Sequence, residues 1–411
     1  MNSKKIICKV CENTKVKKIL DLGAQPPSNS YVGDEKFYQP ENIYPLNLFL
    51  CKKCLHLFSP SILNSQDIFS DYKYFSSFSK SWLAHAKSYV NHIIKFLNLN
   101  KQSLVYEIAS NDGYLLKNFK NTGIDPIGIE PATNVAKESI IKGINTINDF
   151  FTLENSKKIK KKYGPADLII ANNVIAHVPN INDFVEGMNY LLKDKGTITI
   201  EFPSVYNLIK SLQFDTIYHE HFSYYSLLGI EKLLKIHGLK IYHVEKIKTH
   251  GGSYRVYATK NIHLIKKTID YKNLRKFEIE KGLIYEKFYM DFERKVFQIK
   301  KETLNFLIKL KRVNKKIIGY GAAAKANTFI NYCGIKGDLI DFIVDKNIHK
   351  VGNYLPGSRI PIKNVSSIKK YQPDYIVIFP WNLSEEIVKQ LEFVRSWNCK
   401  ILVFVPKLKY L

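Results

Sequence analysis

Leu104-Val-Tyr-Glu-Ile-Ala-Ser-Asn-Asp-Gly113 reads as a short apolar strand that runs into an acidic turn. Behind it, Tyr114-Leu-Leu-Lys-Asn-Phe119 has the apolar spacing of a helix. Outward from this unit, residues 126–130, 166–171 and 196–201 give further apolar strands, and residues 181–192 give a helix between the last two. Short apolar strands alternating with helical stretches predict a parallel, doubly wound α/β sheet of Rossmann-like type. Ligands of such sheets sit at the carboxyl ends of the strands, so the residues there carry the functional reading.

A chain of 411 residues exceeds one ordinary core, since domains run to roughly 100–200 residues. Three domains are expected. Residues 1–70 read as short extended pieces joined by turns such as Gln25-Pro-Pro-Ser-Asn29, and form a small zinc-binding domain. Residues 71–262, opened by a helix over 79–97, form the ligand-binding and catalytic domain. Residues 263–411 begin with a long charged helix over 264–313 and restart as a second, smaller Rossmann-like domain with strands near 316–321, 339–345 and 375–380. Its binding edge is expected to face the first.

The amino terminus lacks the apolar core of a signal peptide, and no apolar run approaches the roughly 20 residues that span a membrane. A soluble, cytoplasmic protein is expected. The formal charge of +25 comes from lysines scattered through the chain, with one dense run at Lys157–Lys162. It reads as solvated surface that favours a small, doubly negative ligand, not a nucleic acid or a membrane. The sequence leaves the oligomeric state open and is compatible with a monomer.

Cys8, Cys11, Cys51 and Cys54 form two Cys-x-x-Cys pairs separated by 39 residues. Each pair offers two thiolates from one tight turn, and together they complete a tetrahedral zinc site. Four protein ligands leave no position for water, so the metal would hold the fold. Cys333 and Cys399 read as buried apolar residues.

In the strand-turn, Glu107, Ser110, Asn111, Asp112 and Gly113 form an acidic pocket before a helix start. One glycine is a poor match to the Gly-x-Gly-x-x-Gly of dinucleotide enzymes, and the acids make a pyrophosphate awkward. A cationic ligand suits them, and S-adenosylmethionine carries both a sulfonium and an ammonium. Glu130 ends the next strand where an acid commonly takes two ribose hydroxyls. Asp149 and Phe150, after the following strand, could hold an adenine.

Tyr218-His-Glu-His221 concentrates three kinds of proton-handling group in four residues. Histidine takes a proton near neutral pH, glutamate can orient it, and a tyrosine hydroxyl can stabilise an oxyanion. A polar surface loop, or a metal site from His219 and His221, remains open at this point.

These motifs, with Asp71-Tyr-Lys-Tyr-Phe-Ser-Ser77, Gly128-Ile-Glu-Pro-Ala132, Asn172-Asn-Val-Ile-Ala-His177, His250-Gly-Gly-Ser-Tyr-Arg255 and Gly319-Tyr-Gly-Ala-Ala-Ala-Lys-Ala-Asn-Thr328, extend over nearly the whole chain. The chain resembles bacterial S-adenosylmethionine-dependent sugar C-methyltransferases that act on thymidine-diphosphate-linked (dTDP) deoxysugars, in particular the carbon-3 enzymes of tetronitrose biosynthesis. The resemblance implies methylation of a carbon beside the keto group of a nucleotide-linked 4-keto sugar, with a structural zinc ion. His221 would abstract the proton, with Tyr72, His177, Tyr218 and Glu220 around the sugar. It also implies that Asn172 belongs to the cofactor site and that His250, Ser253, Arg255, Lys325 and Asn327 contact the substrate. Ala323 and Ala326 stand where the family often has Pro and Gly.

Gly319-Tyr-Gly321 with Asp345 mimics a dinucleotide site but lacks the third glycine, which argues against NAD. The resemblance implies instead that this half closes over the nucleotide-sugar, with a purely scaffolding role as the alternative. Two other classes compete. An RNA or protein methyltransferase would need basic and aromatic residues interleaved on one face. A non-catalytic nucleotide-sugar module would leave the acidic turn and the histidine run without a purpose.

Overall fold

The computed structural model describes residues 5–60, 63, 77, 80–261 and 266–411. Tyr72, expected beside the sugar, lies outside the described residues.

Three strands open the chain: β1 (Val16–Gln25), β2 (Tyr44–Cys51) and β3 (Leu57–Phe58), each antiparallel to the next. The central sheet follows with β4 (Val105–Ile108), β5 (Ile127–Ile129), β6 (Asn145–Ile147), β7 (Ala166–Asn172) and β8 (Leu192–Pro203), all parallel. Next, β9 (Ser223–Tyr224) leaves this sheet and pairs with β3, completing the amino-terminal sheet. Two more strands, β10 (Lys240–Ile247) and β11 (Ser253–Thr259), return to the central one. The central order is β10-β11-β8-β7-β4-β5-β6, with β11 antiparallel to both neighbours.

Side chains alternate across this sheet and demand cover on both faces. Val105, Leu168 and Ile170 face the helix Lys80–Leu97, which buries Ala86, Tyr89, Val90 and Ile93 at helical spacing. On the opposite face Tyr106, Ile169 and Ala171 meet the helix Ile181–Leu191 through Ile181, Phe184, Val185, Met188 and Leu191. Truncating one such residue, Phe184, to alanine costs about 3–5 kcal/mol.

The carboxyl-terminal sheet contains β12 (Ile317–Tyr320), β13 (Ile343–Asp345), β14 (Ile362–Asn364), β15 (Tyr375–Ile378), β16 (Lys400–Val403) and β17 (Lys409–Tyr410). Its order is β14-β13-β12-β15-β16-β17, parallel except for β17. Leu20 and Leu48 of the amino-terminal sheet share one core with Phe292, Phe329 and Phe404 of this unit. Cys8, Phe49 and Phe58 share another with the central sheet. The amino-terminal sheet therefore packs against both larger units.

Two expectations need correction. The helix after the acidic turn spans only Leu116–Lys120, because the chain is still turning at Gly113, where φ is 73°. The charged stretch 264–313 is not one helix: Ile269–Glu280 and Phe292–Arg312 are separated by a break in which Gly282 takes a left-handed φ of 82°. Among the described residues, no helix is long and apolar enough to cross a membrane.

Candidate active site

A cleft of about 1430 Å³ runs along the carboxyl ends of β4, β5, β7 and β8. Ile108, Glu130, Asn172 and Phe202 line it from the central sheet, Asn29 and Tyr31 from the amino-terminal unit, and Lys325 and Lys350 from the carboxyl-terminal one. A drug-sized ligand fills roughly 300–1,000 Å³, so this cleft has room for two ligands side by side. Four non-glycine residues with left-handed backbones, Ala109 (φ 56°), Asn111 (φ 49°), Asn173 (φ 54°) and His250 (φ 52°), all line it. Backbone strain of this kind concentrates where a ligand must be gripped.

At the β4 end the acidic turn is buried: Asn111 and Glu130 line the cleft, whereas Glu107, Ser110, Asp112 and Gly113 do not line it. Glu107 Oε2, Ser110 Oγ and Asp112 Oδ1 have no hydrogen-bond partner among the described residues. Burial, with Glu130 and Asp112 nearby, pushes the Glu107 carboxyl well above the usual range. Asp112 Oδ2 accepts from Lys142 Nζ at 2.7 Å and from the Ser77 hydroxyl. The Glu130 oxygens accept from the amides of Asn111 and Ala132, both at 2.9 Å, and this aims the side chain into the cleft wall. Buried acceptors lacking donors beside clustered carboxylates fit a cation with N–H groups, as the methionyl end of S-adenosylmethionine presents. Phe150 lines the cleft beyond β6, whereas Asp149 is exposed and accepts from the Phe150 amide at 2.7 Å. Asn172 is at the end of β7 with its Oδ1 unpartnered among the described residues.

At the far end lies the run preceding β9. His221 Nδ1 meets the Thr216 carbonyl oxygen at 2.9 Å. A carbonyl only accepts, so Nδ1 carries the proton and Nε2 offers its lone pair. Tyr218 Oη lies 2.7 Å from that Nε2 and donates to it. The His177 ring stands edge-on to His221 with centroids 4.6 Å apart. Burial, then the neighbouring His177, holds the His221 imidazole well below its ordinary range, and burial takes His177 down to about 4. Both rings are neutral at pH 7. Glu220 is 2% exposed; the Asn29 amide donates to its Oε1 at 2.7 Å, and its Oε2 has no partner among the described residues. Burial raises this carboxyl to about 7. His219 instead turns to the Tyr44 carbonyl at 3.1 Å, so the two histidines of the run do not converge on a metal.

His250 lines the cleft against Trp82, with ring centroids 5.2 Å apart. Lys325 lines it too, its ammonium donating to Asn382 Oδ1 at 2.6 Å and lying 4.6 Å from the Trp381 ring centre. Ser253 and Arg255 do not line it, against expectation. Arg255 is 4% exposed and forms ion pairs with Glu201 at 2.6 Å and Glu245 at 2.7 Å over the Tyr89 ring, and Ser253 donates to the Thr249 carbonyl at 3.0 Å. Asn327 is wholly buried and its Oδ1 accepts from Asn331, so it does not line the cleft either. Sequence reading missed Asn29, Tyr31, Trp82, Lys350 and Arg359, which all line it. The Pro-Pro-Ser-Asn turn was the one available signal, and only for Asn29.

Cys8, Cys11, Cys51 and Cys54 bring their sulfurs within 4.8 Å of one another, with 3.5 Å for both Cys8–Cys54 and Cys11–Cys51. A tetrahedral zinc with bonds of about 2.3 Å needs sulfurs about 3.8 Å apart. The set fits.

Family models match the chain in three pieces: a zinc binding domain over residues 8–69, a methyltransferase domain over 82–244, and a C-methyltransferase C-terminal domain over 248–406. C-methyltransferase NovU of Streptomyces niveus is 30% identical over 403 residues, 97% of this chain and 95% of that protein. Similar solved structures include an S-adenosylmethionine-dependent methyltransferase from Anabaena variabilis (12% identity, TM-score 0.38, 50% of this chain and 98% of that one). Another comes from Archaeoglobus fulgidus (17% identity, TM-score 0.36, 43% and 93%). Sheet, strand-end acids and domain matches define an S-adenosylmethionine-dependent methyltransferase with a zinc-binding domain. More narrowly, the chain belongs to the C-methyltransferase family that includes NovU.

Proposed function

We propose that the acceptor carbon lies beside the keto group of a dTDP-linked 4-keto deoxysugar, at carbon 3, and that His221 removes its proton. The observation that carries this reading is the fixed tautomer of His221, whose Nε2 lone pair is held at the cleft by the Thr216 carbonyl behind it. A carbon acid needs a neutral base aimed at one C–H bond, and the depressed imidazole remains neutral at pH 7.

When bound, S-adenosylmethionine supplies an electrophilic methyl group on a cationic sulfur. Glu107, Ser110, Asp112 and Gly113 would hold its methionyl end, Glu130 its ribose, and Phe150 and Asn172 the rest. The chain's other residues handle the proton. The α C–H bond breaks, its proton passes to His221 Nε2, and the electron pair moves onto the keto oxygen as an enolate. An imidazolium is costly in this buried site, so the enolate must be stabilised by donors already in place. Substrate at Nε2 displaces the Tyr218 hydroxyl, which then donates to that oxygen. Glu220 Oε2 serves a sugar hydroxyl, and His250 and Lys325 border the sugar and its phosphates. The +25 charge supports an anionic substrate of this size.

Incubation with a panel of thymidine- and guanosine-linked 4-keto sugars, followed by mass and NMR analysis, tests the substrate. No reaction with any of them contradicts it. Deuterium exchange of the α-proton without S-adenosylmethionine tests the enolate separately.

A further inference from the structure

The Thr216 carbonyl that orients His221 belongs to a short turn, Phe214–Thr216, which the carboxyl-terminal unit grips on both sides. One residue before it, Asp215 Oδ2 accepts from Trp381 Nε1 at 2.7 Å. One residue after it, the Ile217 carbonyl accepts from Thr328 Oγ1 at 3.0 Å. Phe214 itself packs on Phe329, with ring centroids 5.7 Å apart. Asp215 is 2% exposed and Thr328 fully buried, so both bonds are shielded from water.

The Trp381 indole also abuts the loop that carries His250. A Cβ on Gly251 would stand 2.4 Å from the Trp381 ring, and Gly251 has φ of +81°, so backbone and ring fit only with glycine there. Gln213, at the head of the same turn, donates to the Gly251 carbonyl at 2.9 Å. Turn, loop and indole form one packed unit.

We infer that Trp381 and Thr328 are positioning residues for the base: through Asp215 and Ile217 they fix the Thr216 carbonyl, and that carbonyl fixes which nitrogen of His221 faces the substrate. The carboxyl-terminal unit thus has a task in the proton transfer besides covering the substrate. This rests on the reading of His221 as the base. Loss of either grip lets the turn shift, the Nδ1–H bond lengthens, and the ring samples the other tautomer, in which Nε2 cannot accept a proton. A displacement of about 1 Å at a reacting group costs on the order of 100-fold in rate.

The test uses the full-length zinc-loaded enzyme, ¹⁵N-labelled at histidine, with Trp381→Phe and Thr328→Val separately and together. Expected for the wild type is the ¹⁵N pattern of a single neutral His221 tautomer protonated at Nδ1. The double variant should show averaged tautomer shifts, a kcat lower by about 10- to 100-fold, and an unchanged Kd for S-adenosylmethionine. A merely structural role would lower the melting temperature without moving the tautomer signal. Should the double variant fail to fold, Thr328→Val alone carries the test, because valine keeps the shape and removes only the hydroxyl. A single Nδ1–H tautomer retained in every folded variant overturns the inference. If His221→Asn turns over normally, the base assignment falls, yet the tautomer signal still decides whether the carboxyl-terminal unit orients the ring.

Discussion

The Asn29 side-chain amide donates to Glu220 Oε1 at 2.7 Å, joining the amino-terminal unit to the histidine run across 191 positions of sequence. The bond leaves Oε2 buried and without a partner among the described residues, so the carboxyl prefers its proton and rises from 4.5 to about 7. A raised carboxyl stabilises the fold below its unfolded value and loses that contribution as pH climbs through the folded value. Glu220→Gln keeps the acceptor for Asn29 and removes the ionisation. The variant should therefore gain stability over wild type between pH 4.5 and 7, by at most about 3 kcal/mol, and level off above. Urea midpoints across pH 4 to 8 check this; a difference that shrinks as pH rises contradicts the burial of this group.

His221→Asn should lower kcat by about 10²–10⁴-fold, the usual contribution of a general base, with an unchanged Kd for S-adenosylmethionine by calorimetry. Because the imidazole is held well below its ordinary range, protonation of the free base should not limit kcat/KM until pH falls below about 6.5. An acid limb assigned to His221 near or above that value would show a solvated ring.

Glu107→Gln should weaken S-adenosylmethionine binding about tenfold, one lost charge contact at about 1.4 kcal/mol. Since burial, and then the neighbouring Glu130 and Asp112, raise the Glu107 carboxyl, a bound cation should expel its proton. Binding enthalpies measured in buffers of different ionisation heat should reveal proton release on binding, and the affinity should climb with pH. Proton uptake would be the wrong sign.

The parallel core of the central sheet was legible because β5 and β7 are mainly apolar, and β4 and the second half of β8 are largely apolar with one acid each, Glu107 and Glu201. The strands β10 and β11 were not, since Lys240, Glu245, Lys246 and Arg255 interrupt their apolar character and are tolerated only at an edge or by pairing with Glu201. Arg255 shows the same limit at the site. From its motif it reads as a substrate contact, but it is neutralised by Glu245, directly opposite on β10, and by Glu201 of β8, 54 positions earlier, a pairing that appears only once the strands are registered. Cys-x-x-Cys spacing and the histidine run are local chemistry and could be read directly. Asn29, Trp82, Lys350 and Arg359 reach the cleft only through the packing of separate units, for which no short-range pattern exists.

The four cysteines should hold one zinc per chain, measured by elemental analysis. Cys54→Ser, or a strong chelator, should lower the melting temperature without altering the S-adenosylmethionine site directly, because the cluster shares its core with Phe49, Phe58 and the central sheet. A metal-free chain with wild-type stability would remove the zinc from the account.

The most direct measurement is the position of the new methyl group in the product. With ¹³C-methyl S-adenosylmethionine and a dTDP-linked 4-keto deoxysugar uniformly ¹³C-labelled in its sugar ring, carbon-13 NMR should show the methyl carbon split by one-bond coupling to carbon 3, with no remaining α-proton at that carbon if the parent held one. A label bonded to oxygen, or to a carbon not adjacent to the ketone, would contradict proton abstraction by His221.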